Sequence, residues 1–275
     1  MKLCFSPCPN DTFLFHAFVK GLVPHPFSLD VSLHDIQELN TLALEGKPDV
    51  CKISLNTLSK VLDDYCLLPV GTTMGYGNGP KLVGRRPYDL EDLHLSTLSI
   101  PGKGTTAFLL YRILLPQAKV ERFCTYEKVP AFLKKWSDFG LIIHETRFRI
   151  DELNLYEICD LGRTWEDETG LPIPLGCLVA KRSLGQEKIR TLTQALQGSL
   201  DYARAHPEQS LPYILEHSQE KDPKIVQSHI QLYVNDETRQ ISDKGIQAIA
   251  TLFKRGRQVK VISRKAVHQL DRLFL

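Results

Sequence analysis

The sequence predicts an α/β protein of two lobes, and three observations predict it. Short apolar segments alternate with helix-spaced ones along most of the chain. Two similar strand segments, Leu82-Val83-Gly84-Arg85-Arg86 and Leu178-Val179-Ala180-Lys181-Arg182, each follow a Gly/Pro-rich loop and flank the middle of the chain. The stretch Gly140-Leu141-Ile142-Ile143-His144-Glu145 ends an apolar run on a histidine and a carboxylate, at the strand end where open α/β sheets present ligand sites. With 275 residues the chain can build two modest lobes. The paired segments read as two crossings, near residues 80–90 and 170–185. One lobe then takes residues 1–82 and 183–275 with both termini, the other residues 83–182, and a ligand cleft lies between them.

The elements follow in order. Lys2-Leu3-Cys4-Phe5 is a short strand stopped by Pro7 and Pro9, and Asn10 or Asp11 caps the helix running to Val19. Residues 27–33 alternate and read as a strand. Residues 36–44 carry helical spacing and stop at Gly46. Residues 50–54 form a strand, followed by a helix through Leu58, Val61 and Leu62. Four glycines and a proline between Gly71 and Pro80 mean a loop. No helix opens at its end, so it is not a dinucleotide fingerprint. A strand over 81–86, a helical turn over 89–93 and the strand Leu98-Ser99-Ile100 lead into Pro101-Gly102-Lys103-Gly104-Thr105-Thr106, which opens a helix over 107–115. Free amides at that helix start favour a carboxylate or phosphate; an ordinary tight turn with a threonine cap is the alternative. Beyond a polar stretch over 160–170, residues 177–181 are a strand, and from Glu187 the pattern is mostly helical.

Composition excludes several classes. The 34 basic and 32 acidic residues leave a net charge of +2, which gives no nucleic-acid surface. The seven cysteines are scattered and form no CxxC pair, so no metal site is expected from them, and free thiols fit a reducing cytoplasm. No signal-peptide core and no run of about 20 apolar residues appears, so the expectation is a cytoplasmic protein without a membrane partner. Nothing signals an oligomeric state.

Several segments together resemble a known family: Ser6-Pro7-Cys8-Pro9-Asn10-Asp11-Thr12-Phe13, Lys52-Ile53-Ser54, Gly77-Asn78-Gly79-Pro80, Thr105-Thr106-Ala107, the 140–145 strand with Arg147-Phe148, and Asp160-Leu161-Gly162 with Trp165-Glu166. The set resembles the 1,4-dihydroxy-6-naphthoate synthases of the futalosine route to menaquinone. The resemblance implies a two-lobed fold like that of type II periplasmic binding proteins. It also implies a lyase that converts cyclic dehypoxanthine futalosine to 1,4-dihydroxy-6-naphthoate and dihydroxyacetone. His144 is then the proton acceptor, and Lys52, Ser54, Thr105 and Thr106 contact substrate. Cys51 and Arg163-Thr164 depart from the family pattern, which bears on loop geometry.

The residue types support that chemistry. An imidazole titrates near neutrality and serves as a general base, although a histidine at a strand end is also a common structural feature. The partner is a small carboxylate, gripped by amides at the 105–106 helix start, with Ser6, Ser54 and Asn10 adding hydrogen bonds. The scheme calls for no cofactor and no metal. Asp11 reads as a helix cap. Lys52 binds either an anion or an acid such as Asp49, and Glu145 orients a loop. Cys8 looks exposed by its loop, with no base near it in sequence. Two other readings share the fold: a chorismate dehydratase of the same pathway, and a solute-binding protein without catalysis.

Overall fold

The computed structural model of the chain describes residues 1–275, arranged around two separate sheets. The first contains β1 (Lys2–Phe5), β2 (Asp30–Leu33), β3 (Val50–Ser54), β4 (Tyr65–Leu67), β5 (Thr73–Gly75) and β11 (Ile173–Lys181), in the order β2-β1-β3-β11-β4 with β5 also on β11. The second contains β6 (Lys81–Gly84), β7 (Thr97–Ile100), β8 (Val120–Phe123), β9 (Phe139–Ile142) and β10 (Tyr156–Asp160), in the order β10-β6-β9-β7-β8.

Helices connect the parallel strands. α1 (Pro9–Val19) joins β1 to β2, and α2 (Ile36–Leu44) joins β2 to β3. α3 (Leu55–Val61) leaves the end of β3, α4 (Thr106–Leu114) joins β7 to β8, α5 (Val129–Lys135) precedes β9, and α6 (Leu161–Thr169) follows β10. The remainder is helical: α7 (Gln186–Ala205), α8 (Pro207–His217), α9 (Pro223–Tyr233), α10 (Asp236–Arg239), α11 (Asp243–Gln258) and α12 (Arg264–His268). No helix is long and apolar enough to cross a membrane.

Local sequence explains the elements that position the site. β3 reads Val-Cys-Lys-Ile-Ser and is buried at every position, because sheet neighbours lie on both edges and helices cover its faces. β1 lies between two parallel partners, β2 and β3, so loops leaving β1 and β3 open on the same edge of the sheet. The capping of α2 by Asp35, which accepts from Gln37 N, sets the start that the periodicity predicts.

Three expectations are corrected. The sequence reading placed residues 83–182 in the second lobe, but Lys81 and Leu82 already pair with β9, and β11 pairs antiparallel with β3, β4 and β5 of the first sheet. The chain therefore passes between the sheets over residues 76–80 and again over 161–172. Apolar patterning marks a strand but does not name its partner. The 71–80 loop contains β5, whose ladder to β11 holds a glycine-rich segment that has little strand propensity of its own. Asp11 does not cap α1: Cys8 is the N-cap residue and no side chain closes that end.

Candidate active site

A cavity open to solvent lies between the two sheets. Ser6, Asn10, Asp11, Lys52, Ser54 and Thr73 line it from the first sheet and the start of α1, Thr105, Thr106, Ala107 and His144 from the second sheet and the start of α4, and His229 and Tyr233 from α9. All seven residues that the sequence singled out, Ser6, Asn10, Lys52, Ser54, Thr105, Thr106 and His144, thus meet in one space. Residues far apart in sequence converge because the ends of β1, β3, β7 and β9 face one another.

His144 is the first residue after the extended Ile143 that follows β9, and its backbone is left-handed, with φ 57°. A non-glycine residue in that region is strained, and such strain concentrates where a side chain must be aimed. Its Nδ1 lies 3.1 Å from Cys8 Sγ, and its ring meets Tyr126 edge to face at 4.6 Å. Its Nε2 is buried and has no partner in the protein. Cys8 is buried, not exposed, and burial together with the Glu145 carboxylate pushes its thiol well above the usual range. The thiol therefore stays protonated at neutral pH. Ligand atoms of Cys8, His144 and Glu145 lie within 4.8 Å of one another, a grouping able to hold a soft divalent cation.

The turn carrying His144, His144–Arg149, is bolted to its surroundings by two arginines. Arg147 pairs with Asp160 at 2.9 Å, donates to Gly79 O and reaches the Tyr233 hydroxyl. Asp160 in turn accepts from Gly79 N at 2.7 Å and Gly162 N at 2.8 Å. A Cβ on Gly162 would stand 2.1 Å from the Asn78 carbonyl carbon, so only glycine lets the two interlobe crossings touch. Arg149 makes a two-pronged pair with Glu220, at 2.7 and 2.8 Å, which holds the Glu220 carboxyl below its usual range.

Several predicted contacts are committed within the protein. Lys52 gives its three ammonium protons to Asp11 at 2.9 Å, Gly71 O at 2.9 Å and Thr73 Oγ1 at 2.8 Å. Asp11, the acid it pairs with, lines the cavity beside it. The Thr105 hydroxyl donates to Gly102 O and accepts from Phe108 N, capping α4. The Thr106 hydroxyl donates to Leu175 O and accepts from Leu55 N. The open donors are the main-chain amides of Thr106 and Ala107, which have no partner in the chain. Ser54 Oγ accepts from Asn40 Nδ2 at 3.0 Å, and its own proton has no acceptor in the protein.

The sequence reading missed His229 and Tyr233 and gave Arg147 and Asp160 no role. A histidine and a tyrosine four residues apart on α9 share one helix face, which is the signal that was available.

Comparison with known proteins decides the family. A family model described as menaquinone biosynthesis matches residues 1–258. The chain belongs to the menaquinone biosynthesis family. A 1,4-dihydroxy-6-naphthoate synthase of Streptomyces coelicolor is 41% identical over 261 residues, which cover 93% of this chain and 92% of the relative. The corresponding synthase of Thermus thermophilus is 40% identical over 254 residues, 92% of each chain. Among solved structures, a protein of Archaeoglobus fulgidus is 25% identical with a TM-score of 0.89, covering 94% of this chain and 96% of that one. The alkanesulfonate-binding protein of Xanthomonas axonopodis pv. citri has a TM-score of 0.75 at 10% identity, covering 98% and 96%. That last likeness concerns the fold alone: this menaquinone biosynthesis family member has the two-lobed architecture of periplasmic binding proteins, as its motifs implied.

Proposed function

We propose that this chain is a cytoplasmic lyase that converts cyclic dehypoxanthine futalosine to 1,4-dihydroxy-6-naphthoate and dihydroxyacetone, with His144 as general base. The observation that carries the reading is the buried, unpartnered Nε2 of His144 on the wall of the interlobe cavity. The names of the two relatives at about 40% identity support the substrate and product.

For Nε2 to take a proton it must present a lone pair, so in the resting enzyme Nδ1 carries the hydrogen and Cys8 Sγ accepts it. The proton passes from a substrate carbon to Nε2, and the electron pair it leaves behind forms the new double bond of the ring as the bond to the three-carbon fragment breaks with its electrons on that fragment. The imidazolium then returns the proton to the fragment, which leaves as dihydroxyacetone. The imidazolium formed is stabilised by the Glu145 carboxylate beside it. Amides of Thr106 and Ala107, at the positive end of α4, hold the substrate carboxylate. Ser54 donates to a neighbouring oxygen of the substrate. Closure of the two sheets' loops over the cavity excludes water, and the scheme requires no metal or organic cofactor.

Incubation of the purified chain with cyclic dehypoxanthine futalosine should yield a product with the mass of 1,4-dihydroxy-6-naphthoate. Consumption of chorismate in a parallel reaction, with the futalosine derivative left intact, would transfer the chain to the dehydratase reading. Tight binding of the derivative without any product would leave only the solute-binding reading.

A further inference from the structure

The orientation of Asn10 fixes the state of a second histidine. Asn10 Nδ2 donates to Asp11 Oδ1 at 2.9 Å, which turns the amide oxygen the other way. That oxygen lies 3.0 Å from His229 Nε2. An amide oxygen only accepts, so Nε2 of His229 carries the ring proton. Asp11 cannot reorient to relax this arrangement, because Lys52 holds one carboxylate oxygen at 2.9 Å and Ser6 the other at 2.6 Å. The chain of commitments from Lys52 through Asp11 and Asn10 therefore leaves the lone pair of His229 on Nδ1. That atom is buried and has no partner. The residue is 1% exposed and lines the same cavity as His144. An unpaired buried acceptor is uncommon in a folded protein and calls for a donor from outside the chain.

We propose that His229 Nδ1 binds substrate by accepting a hydrogen bond from one of its neutral hydroxyl groups. The chemistry of the surroundings selects that class of donor. A bare imidazole nitrogen repels a carboxylate, and the Arg147 guanidinium over the neighbouring Tyr233 ring disfavours an ammonium. A neutral O–H is left. Burial and the nearby His144 and Arg147 hold the His229 ring well below its usual pKa, so it stays neutral while His144 takes up a proton. The two histidines then divide the work: one moves a proton and the other recognises a hydroxyl. The proposal rests on the lyase reading for the identity of the substrate, but the locked ring tautomer does not.

Two measurements test it. Nitrogen-15 spectra of histidine-labelled full-length protein should show His229 neutral at pH 7 with the proton on Nε2. Adding cyclic dehypoxanthine futalosine to the His144→Ala protein, in which slowed turnover should let the bound substrate be observed, should shift the His229 Nδ1 resonance toward that of a hydrogen-bonded nitrogen. In kinetics, His229→Phe should lower kcat/KM about 10- to 100-fold, the loss expected when a site built to bond a hydroxyl loses its partner. The wild-type enzyme should discriminate by a similar factor against one deoxygenated analogue from a set in which each sugar-derived hydroxyl is replaced by hydrogen, and His229→Phe should not. A His229 ring protonated on Nδ1, or a variant that loses the same factor on every analogue, would overturn the proposal. If the wild-type enzyme turns nothing over, the lyase reading fails, and the tautomer measurement still decides the arrangement of His229.

Discussion

His144 holds a backbone conformation that most residues avoid, and its replacement must respect that. At φ 57° an alanine is strained, whereas asparagine, like histidine, tolerates the left-handed region. His144→Ala and His144→Asn should therefore both fold, with Asn the more stable by urea titration. Both should lose about 10²- to 10⁴-fold in turnover, the usual contribution of a positioned base. Near-normal turnover by either would end the general-base reading. Cys8 gives a finer test. Cys8→Ser keeps an acceptor for Nδ1–H of His144, and Cys8→Ala removes it. Steady-state rates should fall further in the alanine variant than in the serine variant, and equal rates would mean that the thiol does not set the tautomer. At this scale the sequence was legible where a motif named a residue that lines the cavity, as for His144 and Ser54. It was misleading where function depended on who else claims the side chain. Lys52 reads in sequence as a partner for an anion or for an acid such as Asp49, and Asp11 as a helix cap, and the folded chain joins the two to each other.

The loop from Pro101 to Thr106 is the element on which the cavity depends. Gly104 N donates to Gln37 Oε1 at 2.8 Å, Asn56 Nδ2 reaches the carbonyls of Lys103 and Thr105, and Thr57 Oγ1 donates to Gly104 O. Gly102, at φ 112°, leaves room for the Gln37 side chain, which a Cβ would meet at 2.4 Å. The glycines and threonines that read in sequence as an anion-binding turn serve equally to join the second sheet to α2 and α3. Thr106→Ala removes the acceptor of Leu55 N and leaves that buried amide unpaired. The expected loss is about 1–3 kcal/mol in urea unfolding, more than for an exposed threonine. An unchanged midpoint would show that the loop is not held there. The boundaries of α2 and β3 were readable to the residue, because helical spacing and a glycine stop mark the first and a short apolar run forms the second. β5 was not, since its ladder partner lies about a hundred residues away in β11.

Across the whole molecule, Arg147 and Asp160 tie the two interlobe crossings together. Both side chains are 7% exposed, and breaking such a pair leaves a buried charge without compensation. Arg147→Ala should cost about 3–5 kcal/mol, the range for removing one partner of a buried ion pair. Wild-type stability in differential scanning calorimetry would contradict this. Acid should weaken the fold through its buried histidines. His229 and His16 are both held below their usual pKa by burial, so the unfolded chain binds protons that the native one refuses. The stability these rings contribute is intact above about pH 6.5 and falls as pH drops below it. Urea midpoints should decline between pH 6.5 and 5, above the range where the ion-paired carboxylates begin to protonate, and a flat profile over that interval would rule the effect out. The two-lobed plan was legible in the alternation of elements, and so was the nesting of the middle segment within a lobe that holds both termini, but the place of β11 in the first sheet was not, because β11 carries no local mark of its partners.

That nesting sets an order of events during synthesis. β11 fills the gap between β3 and β4, so the middle of the first sheet is supplied only after every strand of the second has been made. The second sheet is drawn from one uninterrupted stretch and can close on itself while the ribosome is still working. The amino-terminal strands, first to emerge, must wait with the edge of β3 unpaired until residues 173–181 arrive. At about 5–20 residues per second that delay lasts several seconds. For that interval the nascent chain displays a bare apolar edge, which makes the beginning of this protein, rather than its end, the segment most in need of a chaperone's protection.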